Sequence, residues 1–369
     1  MSAQDEAAPH GATPHDATTA NTAAFAAEAV DVDVLIVGAG PTGLFAAYYA
    51  GFRGLRVGVL DSLPEPGGQI NAMYPEKDIY DVAGFPAVRG RDLVESLLAQ
   101  AEPFDPVYLL GHRAEELERH PDSAQPAGPE TFTVTTHRGT QVSAKAVIIT
   151  GGIGTFTPRP LPVAKEFEDG DPPGLAYFVR RLDDYKDTDV VIVGGGDSAF
   201  DWAQALHSRA NSVTLVHRRE TFRAHPTTVS AVAESDVDIV TNAQVSKVIG
   251  NGAIESVEIT ATNDTVHTVP CQRIIAALGF TANLGPLLKW GVDVENRRHI
   301  PVDTSMQTNV PGVFAAGDIN DYPGKVRLIA VGFGEAATAV NNAAHHIDPG
   351  QPVFPGHSTD APTTERAAA

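Results

Sequence analysis

Asp33-Val34-Leu35-Ile36-Val37-Gly38-Ala39-Gly40-Pro41-Thr42-Gly43-Leu44 opens the stretch that decides the fold. It runs on to Phe52, breaks at Gly54 and resumes as Arg56-Val57-Gly58-Val59-Leu60-Asp61. The first apolar run is short and β-branched, as a buried parallel strand requires; the next dozen residues suit a helix, and Arg56–Leu60 a second strand. Gly38, Gly40 and Gly43 stand at G-x-G-x-x-G spacing where strand becomes helix. The first glycine allows the tight turn, the second lets the backbone approach a pyrophosphate, and the third lets helix and strand pack closely. The helix N-terminus adds N–H groups and positive potential. Asp61 ends the second strand, where an acid accepts hydrogen bonds from an adenosine ribose. Glycine turns also occur without ligands, but both strands, the helix and the terminal acid in register point to a dinucleotide site. Val34 to Phe52 carries no charge and has the length of a membrane span. Its three glycines and Pro41 divide it into strand and helix instead.

The pattern occurs twice. Asp189-Val190-Val191-Ile192-Val193 leads into Gly194-Gly195-Gly196-Asp197-Ser198-Ala199, then a helix to about His207 and a strand from Ser212 to Val216. Each copy continues into a β-meander, the second expected from Val237 to Pro270, and closes on a strand stopped by glycine: Lys145 to Thr150 before Gly151-Gly152, Arg273 to Leu278 before Gly279. Two dinucleotide-binding units in one chain are much harder to explain structurally than one. The copies differ at the end of their second strand, where His217-Arg218-Arg219, with Phe222-Arg223-Ala224-His225 beyond, replaces the acid. Guanidiniums clamp a 2′-phosphate with paired bonds, so this unit is expected to take NADP and the first the adenosine of FAD. Those basic residues could equally form a solvated surface turn; their position decides for the phosphate.

The remaining stretches complete the picture. Pro64-Glu65-Pro66-Gly67-Gly68-Gln69 can bring bare backbone to a ligand, and Asn71 to Pro86 is aromatic and proline-punctuated. By composition alone that loop packs under a sheet rather than walling a flat ring. Val310 to Ala316 reads as a strand ending at Gly317-Asp318, where α/β sheets bind ligands; an aspartate there can also cap a turn. Leu328 to Ile347 is a long helix with an apolar face, and His345-His346 sits at its end as a favourable charge for the dipole, not a metal site.

The 369 residues suffice for two domains. Lys and Arg number 26 against 46 Asp and Glu, a net charge of −20, which argues against nucleic acid and anionic membranes as partners. Cys271 stands alone, so neither an intrachain disulfide, a C-x-x-C redox pair nor a cysteine zinc cluster can form. Residues 1–30 lack the lysines and arginines that export and import signals use. They read as a disordered tail, with a cytoplasmic location as the default.

With these motifs placed, the chain resembles the two-dinucleotide flavoprotein superfamily that includes thioredoxin reductase. Thioredoxin reductases carry C-x-x-C just before the second glycine motif, where this chain reads Leu175-Ala176-Tyr177-Phe178-Val179-Arg180; dithiol chemistry is excluded. The nearer resemblance is to the thioredoxin-reductase-like ferredoxin–NADP reductases. It rests on Gly67-Gly68-Gln69, Tyr74-Pro75-Glu76-Lys77, Tyr80-Asp81-Val82-Ala83-Gly84-Phe85-Pro86, and Gly194 to Ala199 followed by Asp201-Trp202. It rests also on the two arginine-rich segments above, Gly332-Phe333-Gly334-Glu335-Ala336 and His357-Ser358-Thr359, covering residues 31–360.

The resemblance implies an α/β fold of two Rossmann-like, three-layer ββα domains. FAD would occupy 31–158 with 282–369, and NADPH 159–281. Besides Gly38, Gly40 and Gly43, it assigns FAD to Thr42, Asp61, Gln69, Tyr74, Ala114, Phe156, Asp318 and Thr359. Tyr74 is expected to stack on one flavin face, overturning the packing preference. His357 is expected to cover the other face, contributed by the second subunit of a homodimer. NADPH falls to Gly194, Gly196, Asp197, Ser198, Ala199, Arg218, Arg219 and Arg223. Hydride would pass from NADPH to flavin and single electrons on to ferredoxin or flavodoxin, with no catalytic acid, base or nucleophile from the protein. Two other functions fit the same motifs: a general NADPH:acceptor diaphorase, and a sensor that binds both cofactors without turnover.

Overall fold

The computed structural model describes residues 29–121 and 130–357. The expected tail before residue 29, and Thr359, lie outside the described residues. Two five-stranded parallel sheets form its frame. The first runs Val313–Ala315, Ala146–Ile149, Val34–Val37, Val57–Asp61, Val107–Leu110. The second runs Leu175–Ala176, Arg273–Ala277, Asp189–Gly194, Ser212–Val216, Asp238–Val240. In the first, the chain begins in the middle, builds outward to one side and then crosses back; the second does the same from Asp189–Gly194, after Leu175–Ala176 has been laid along its far edge. The strand order therefore reverses beside the glycine turn, where doubly wound sheets bind ligands.

The period-two alternation of the strands dictates three layers. Val34 and Ile36 pack with Leu44, Ala47, Leu93 and Val340 on the helical face. Leu35 and Val37 point the other way, onto Phe132, Val134 and Val142 of a four-stranded sheet. The second unit repeats this: Val190 and Ile192 meet Phe200, Trp202 and Ala203 of the Asp197–Leu206 helix, while Val191 and Val193 meet Val245 and Val257 of a meander. Strands buried on both faces must be apolar throughout, which is why they read as continuous runs. The two units are joined by an antiparallel ribbon in which Thr155–Pro158 pairs with Phe280–Asn283.

Three boundaries differ from expectation by three residues or more. The first helix spans Pro41–Phe52, three residues longer at its start than the apolar run from Leu44. Proline suits the first helical position because its missing N–H has no partner there in any case. Asp238–Val240 is not part of the meander but the fifth parallel strand; the meander itself is Ala243–Gly250, Ile254–Ala261 and Val266–Pro270. The strand before Asp318 is shortened to Val313–Ala315. Among the described residues, no helix is long and apolar enough to cross a membrane.

Candidate functional site: two nucleotide cradles

A cleft of about 400 Å³ lies over the C-terminal ends of the first sheet. Gly38, Gly40, Thr42, Asp61, Gln69, Tyr74, Ala114, Phe156 and Asp318 all line it. Asp61 ends one strand and Asp318 follows another three positions away in the sheet. At about 4.8 Å per strand the cleft spans roughly 14 Å between them, a shape for an elongated ligand.

The three glycines of the first turn have distinct surroundings. A Cβ on Gly38 would stand 2.6 Å from the Thr150 carbonyl oxygen, and φ is +122° there. A Cβ on Gly43 would lie 1.8 Å from the Gly38 carbonyl oxygen. A Cβ on Gly40 would meet nothing within 4 Å. No packing inside the protein requires a glycine at position 40, and its bare backbone leaves room of the kind a pyrophosphate seat needs. The Gly67-Gly68 loop closes over it: Gly67 and Gly68 have φ of +105° and +56°, and a Cβ on Gly68 would come within 2.9 Å of the Gly40 Cα.

Asp61 serves the turn as well as the cleft. Its Oδ2 accepts from the Ala39 N–H at 2.6 Å and its Oδ1 from the Leu63 N–H at 2.8 Å. Burial pushes its carboxyl upward, while the amides of Leu63, Ala39 and Ser62 pull it back only in part. At the other end, burial pushes the Tyr74 phenol upward, and the carboxylates of Asp318 and Asp81 add to the effect. The Tyr74 ring lines the cleft and also packs against the hydrophobic cluster of the second unit. Beside it, the Lys77 ammonium reaches Asp201 at 2.6 Å and sits 5.0 Å above the Trp202 ring. The Tyr-Pro-Glu-Lys and Asp-Trp motifs thus meet across the two units.

The second turn reproduces the first. A Cβ on Gly194 would strike the Ala277 carbonyl oxygen at 2.5 Å, one on Gly195 would strike the His217 ring, and one on Gly196 would meet nothing within 4 Å. The arginine segment folds onto this turn, for the Arg223 N–H donates to the Gly195 carbonyl at 2.8 Å. The His225 N–H donates to Asp197 at 2.8 Å, at the first residue of the helix. Burial pushes the His217 imidazole downward, and the charges of Arg218 and Arg219 add to this, against backbone hydrogen bonds with Thr221 and Gly194 that offset it only in part. Arg218, Arg219 and Arg223 are exposed, and among the described residues no carboxylate forms an ion pair with them. Three guanidiniums without an ion-pair partner beside a bare glycine turn have the chemistry to accept a phosphate group. Ser198 is exposed on the helix and Ala199 packs behind it.

His357 does not line the cleft of its own chain; its ring meets Phe354 at 5.2 Å. Sequence reasoning missed Thr150, Arg113, Leu284, Pro286, Leu287, Leu328 and Ile329, all of which line it. Thr150 ends the strand beside the point where strand order reverses, a place the repeat itself marks. The others carry no motif.

Residues 32–343 match the pyridine nucleotide-disulphide oxidoreductase family. The chain belongs to that family. A ferredoxin–NADP reductase of a Nocardioides sp. is 61% identical over 332 residues, covering 90% of this chain and 98% of its own. One of Salinispora arenicola is 59% identical over 330 residues, covering 89% and 99%. Among solved structures, a thioredoxin reductase of T. acidophilum superposes with a TM-score of 0.67 at 26% identity, covering 85% of this chain and 98% of that one. The family's name includes a disulphide, yet the sole cysteine here is buried and its thiol is pushed up to about 12, chiefly by burial. Cys271 is core, not chemistry.

Proposed function

We propose that this chain is an FAD-dependent ferredoxin (or flavodoxin)–NADP reductase. The observation that carries the reading is the pair of cradles, one ending in Asp61 and the other in Arg218-Arg219, in a chain with no second cysteine. Electrons that enter from NADPH cannot leave through a protein dithiol and must go outward from the flavin. The 61% identity to a relative of that name supports the choice of acceptor.

Bound flavin would accept a hydride from NADPH and pass electrons singly to an iron–sulfur or flavin carrier. The chain's own part is positioning. Asp61 takes the adenosine end, the bare Gly38–Gly40 turn and the following helix N-terminus take the pyrophosphate, and Asp318, Gln69 and Thr42 hold the flavin end. Tyr74 covers one face of the ring. Gly194, Gly196, Asp197 and Ser198 cradle the NADPH pyrophosphate, and Arg218, Arg219 and Arg223 take its 2′-phosphate. The FAD unit comprises 31–158 with 282–369, and the NADPH unit 159–281, hinged at the ribbon.

The functional form is a homodimer. Arg53 donates to the Pro352 and Val353 carbonyls at 3.0 and 3.2 Å, tying the C-terminal segment to the far end of the Pro41–Phe52 helix. That helix is about 18 Å long, and the four residue steps from Val353 to His357 span at most about 14 Å. The segment is therefore tethered away from its own cleft, which supports His357 reaching the flavin of a second copy. We place the enzyme in the cytoplasm.

The test is the purified protein's flavin spectrum together with a screen of one-electron carriers under NADPH. Turnover with ferredoxin or flavodoxin is the expected result. Equal rates with quinones or ferric complexes indicate a general diaphorase. Tight binding of both cofactors without turnover indicates a sensor. Shortening the chain after Gly356 should change the flavin spectrum and NADPH access while leaving a folded dimer; unchanged properties would remove the tail from the site.

A further inference from the structure

A buried charged cluster lies directly behind the cleft, and no step of the proposed reaction uses it. Glu335 projects from the Ile329–Ile347 helix with its side chain 4% exposed, and its partner Lys325 is 2% exposed. Both carboxylate oxygens are fully engaged. Oε2 accepts from the Gly317 N–H at 2.8 Å and from Asn320 Nδ2 at 3.2 Å; Oε1 accepts from the Tyr322 hydroxyl at 2.6 Å and from the Lys325 ammonium. Lys325 donates in turn to the Gly317 carbonyl at 2.9 Å. A single residue, Gly317, is thus gripped by the two members of a buried ion pair, its N–H by one and its carbonyl by the other.

Stability alone is a poor reason for such a pair, because apolar residues of like volume often serve as well. The location of its hydrogen bonds is more telling. Gly317 has φ of +84°, open to glycine, and a Cβ there would come 2.8 Å from the Thr42 Oγ1. A Cβ on Gly332, one turn before Glu335, would come 2.5 Å from the same atom. The turn is pressed against Thr42 on one side and clamped from below. The next residue, Asp318, lines the cleft, as do Leu328 and Ile329 above the cluster, whereas neither Glu335 nor Lys325 does.

We infer that Glu335, paired with Lys325, is a positioning residue of the flavin site. It fixes the Gly317 peptides and so aims the Asp318 carboxylate at the flavin end of the cleft, without itself touching ligand. The inference rests on the reading of Asp318 as an FAD contact, and its test separates the two. Apoproteins carrying E335Q, D318N and both changes are titrated with FAD, and the midpoint potential of each reconstituted flavin is measured.

Loss of a charge-assisted hydrogen bond predicts that E335Q and D318N each weaken FAD at least about tenfold. Because Glu335 acts through Asp318, the double variant should bind no more than about twofold worse than D318N, a coupling that independent sites do not show. Its potential should likewise move no further than that of D318N. Losses that multiply, or an E335Q protein with unaltered FAD affinity, overturn the inference. A D318N protein that binds FAD normally overturns the reading of the cleft instead. If thermal unfolding shows that E335Q does not fold, Y322F removes one of the four donors and decides by the same cycle. Its weakening should vanish in the D318N background, and persistence there overturns the inference.

Discussion

Gly40 and Gly43 are three residues apart and both glycine, yet the structure requires opposite outcomes when each becomes alanine. Gly40 has φ −71° and ψ 179°, a conformation any residue adopts, and its Cβ would face open space. Alanine at a helix N-cap costs up to about 1 kcal/mol relative to glycine. The stiffer unfolded chain returns about 0.4–1 kcal/mol. The Gly40→Ala apoprotein should therefore melt within a few degrees of the parent. The same methyl occupies the pyrophosphate seat, where overpacking costs about 1–3 kcal/mol, so FAD affinity should fall roughly tenfold to hundredfold. Gly43→Ala reverses this pattern. Its Cβ would overlap the Gly38 carbonyl oxygen at 1.8 Å, a backbone atom that cannot turn aside, so the apoprotein itself should be destabilised by about 1–3 kcal/mol or more. Thermal melts of the two apoproteins and FAD titrations of the two variants make the comparison. An unchanged FAD affinity in Gly40→Ala, or an apoprotein of parental stability in Gly43→Ala, would refute the assignment of the turn.

Three further outcomes are expected. Replacing Arg218 and Arg219 together by Gln should raise the KM for NADPH tenfold or more, since a charge-assisted contact is worth about 1.5–3 kcal/mol, with NADH turnover nearly unchanged; equal losses with both coenzymes would contradict the 2′-phosphate site. Cys271→Ser should retain turnover with one-electron carriers, and the parent should resist alkylation at neutral pH, because the thiol is buried and titrates only near 12. Burial alone would raise Asp33, but hydrogen bonds from Lys145 and from the backbone and side chain of Arg56 bring it to about 2. Its folded form thus holds fewer protons than its unfolded form, and its contribution, present above about pH 4, fades as pH falls toward 2. Urea midpoints of parent and Asp33→Asn should differ at pH 6 and converge across that window.

The parts of the fold that were legible in the sequence are those whose physics is local. A glycine turn needs its spacing and buried parallel strands need unbroken apolar runs, so both units could be read from Val34–Asp61 and Asp189–Val216. Asp238–Val240 was misassigned because three residues, one exposed and two half-buried, carry no period with which to tell a fifth parallel strand from a hairpin arm. The cleft was legible where backbone strain marks it, at Gly38, Gly67 and Gly317. Leu284, Pro286 and Leu287 were not, because an apolar lining residue looks like any other apolar residue until the chain returns through the ribbon. The meeting of Lys77 with Asp201 joins residues 124 positions apart, and no local rule links them. Glu335 was visible only as part of a helical motif. An acid on an apolar face shows its purpose once Gly317, Asn320, Tyr322 and Lys325 are seen around it.

The central claim is that electrons enter from NADPH and leave singly, without a protein dithiol. Rapid mixing of the holoprotein with NADPH under anaerobic conditions, followed by oxidised ferredoxin, tests it most directly. The account predicts that NADPH bleaches the flavin absorbance far faster than NADH does, and that ferredoxin restores it while a thioredoxin-type disulfide leaves it bleached. A flavin that NADPH does not bleach, or that only the disulfide restores, would contradict the account.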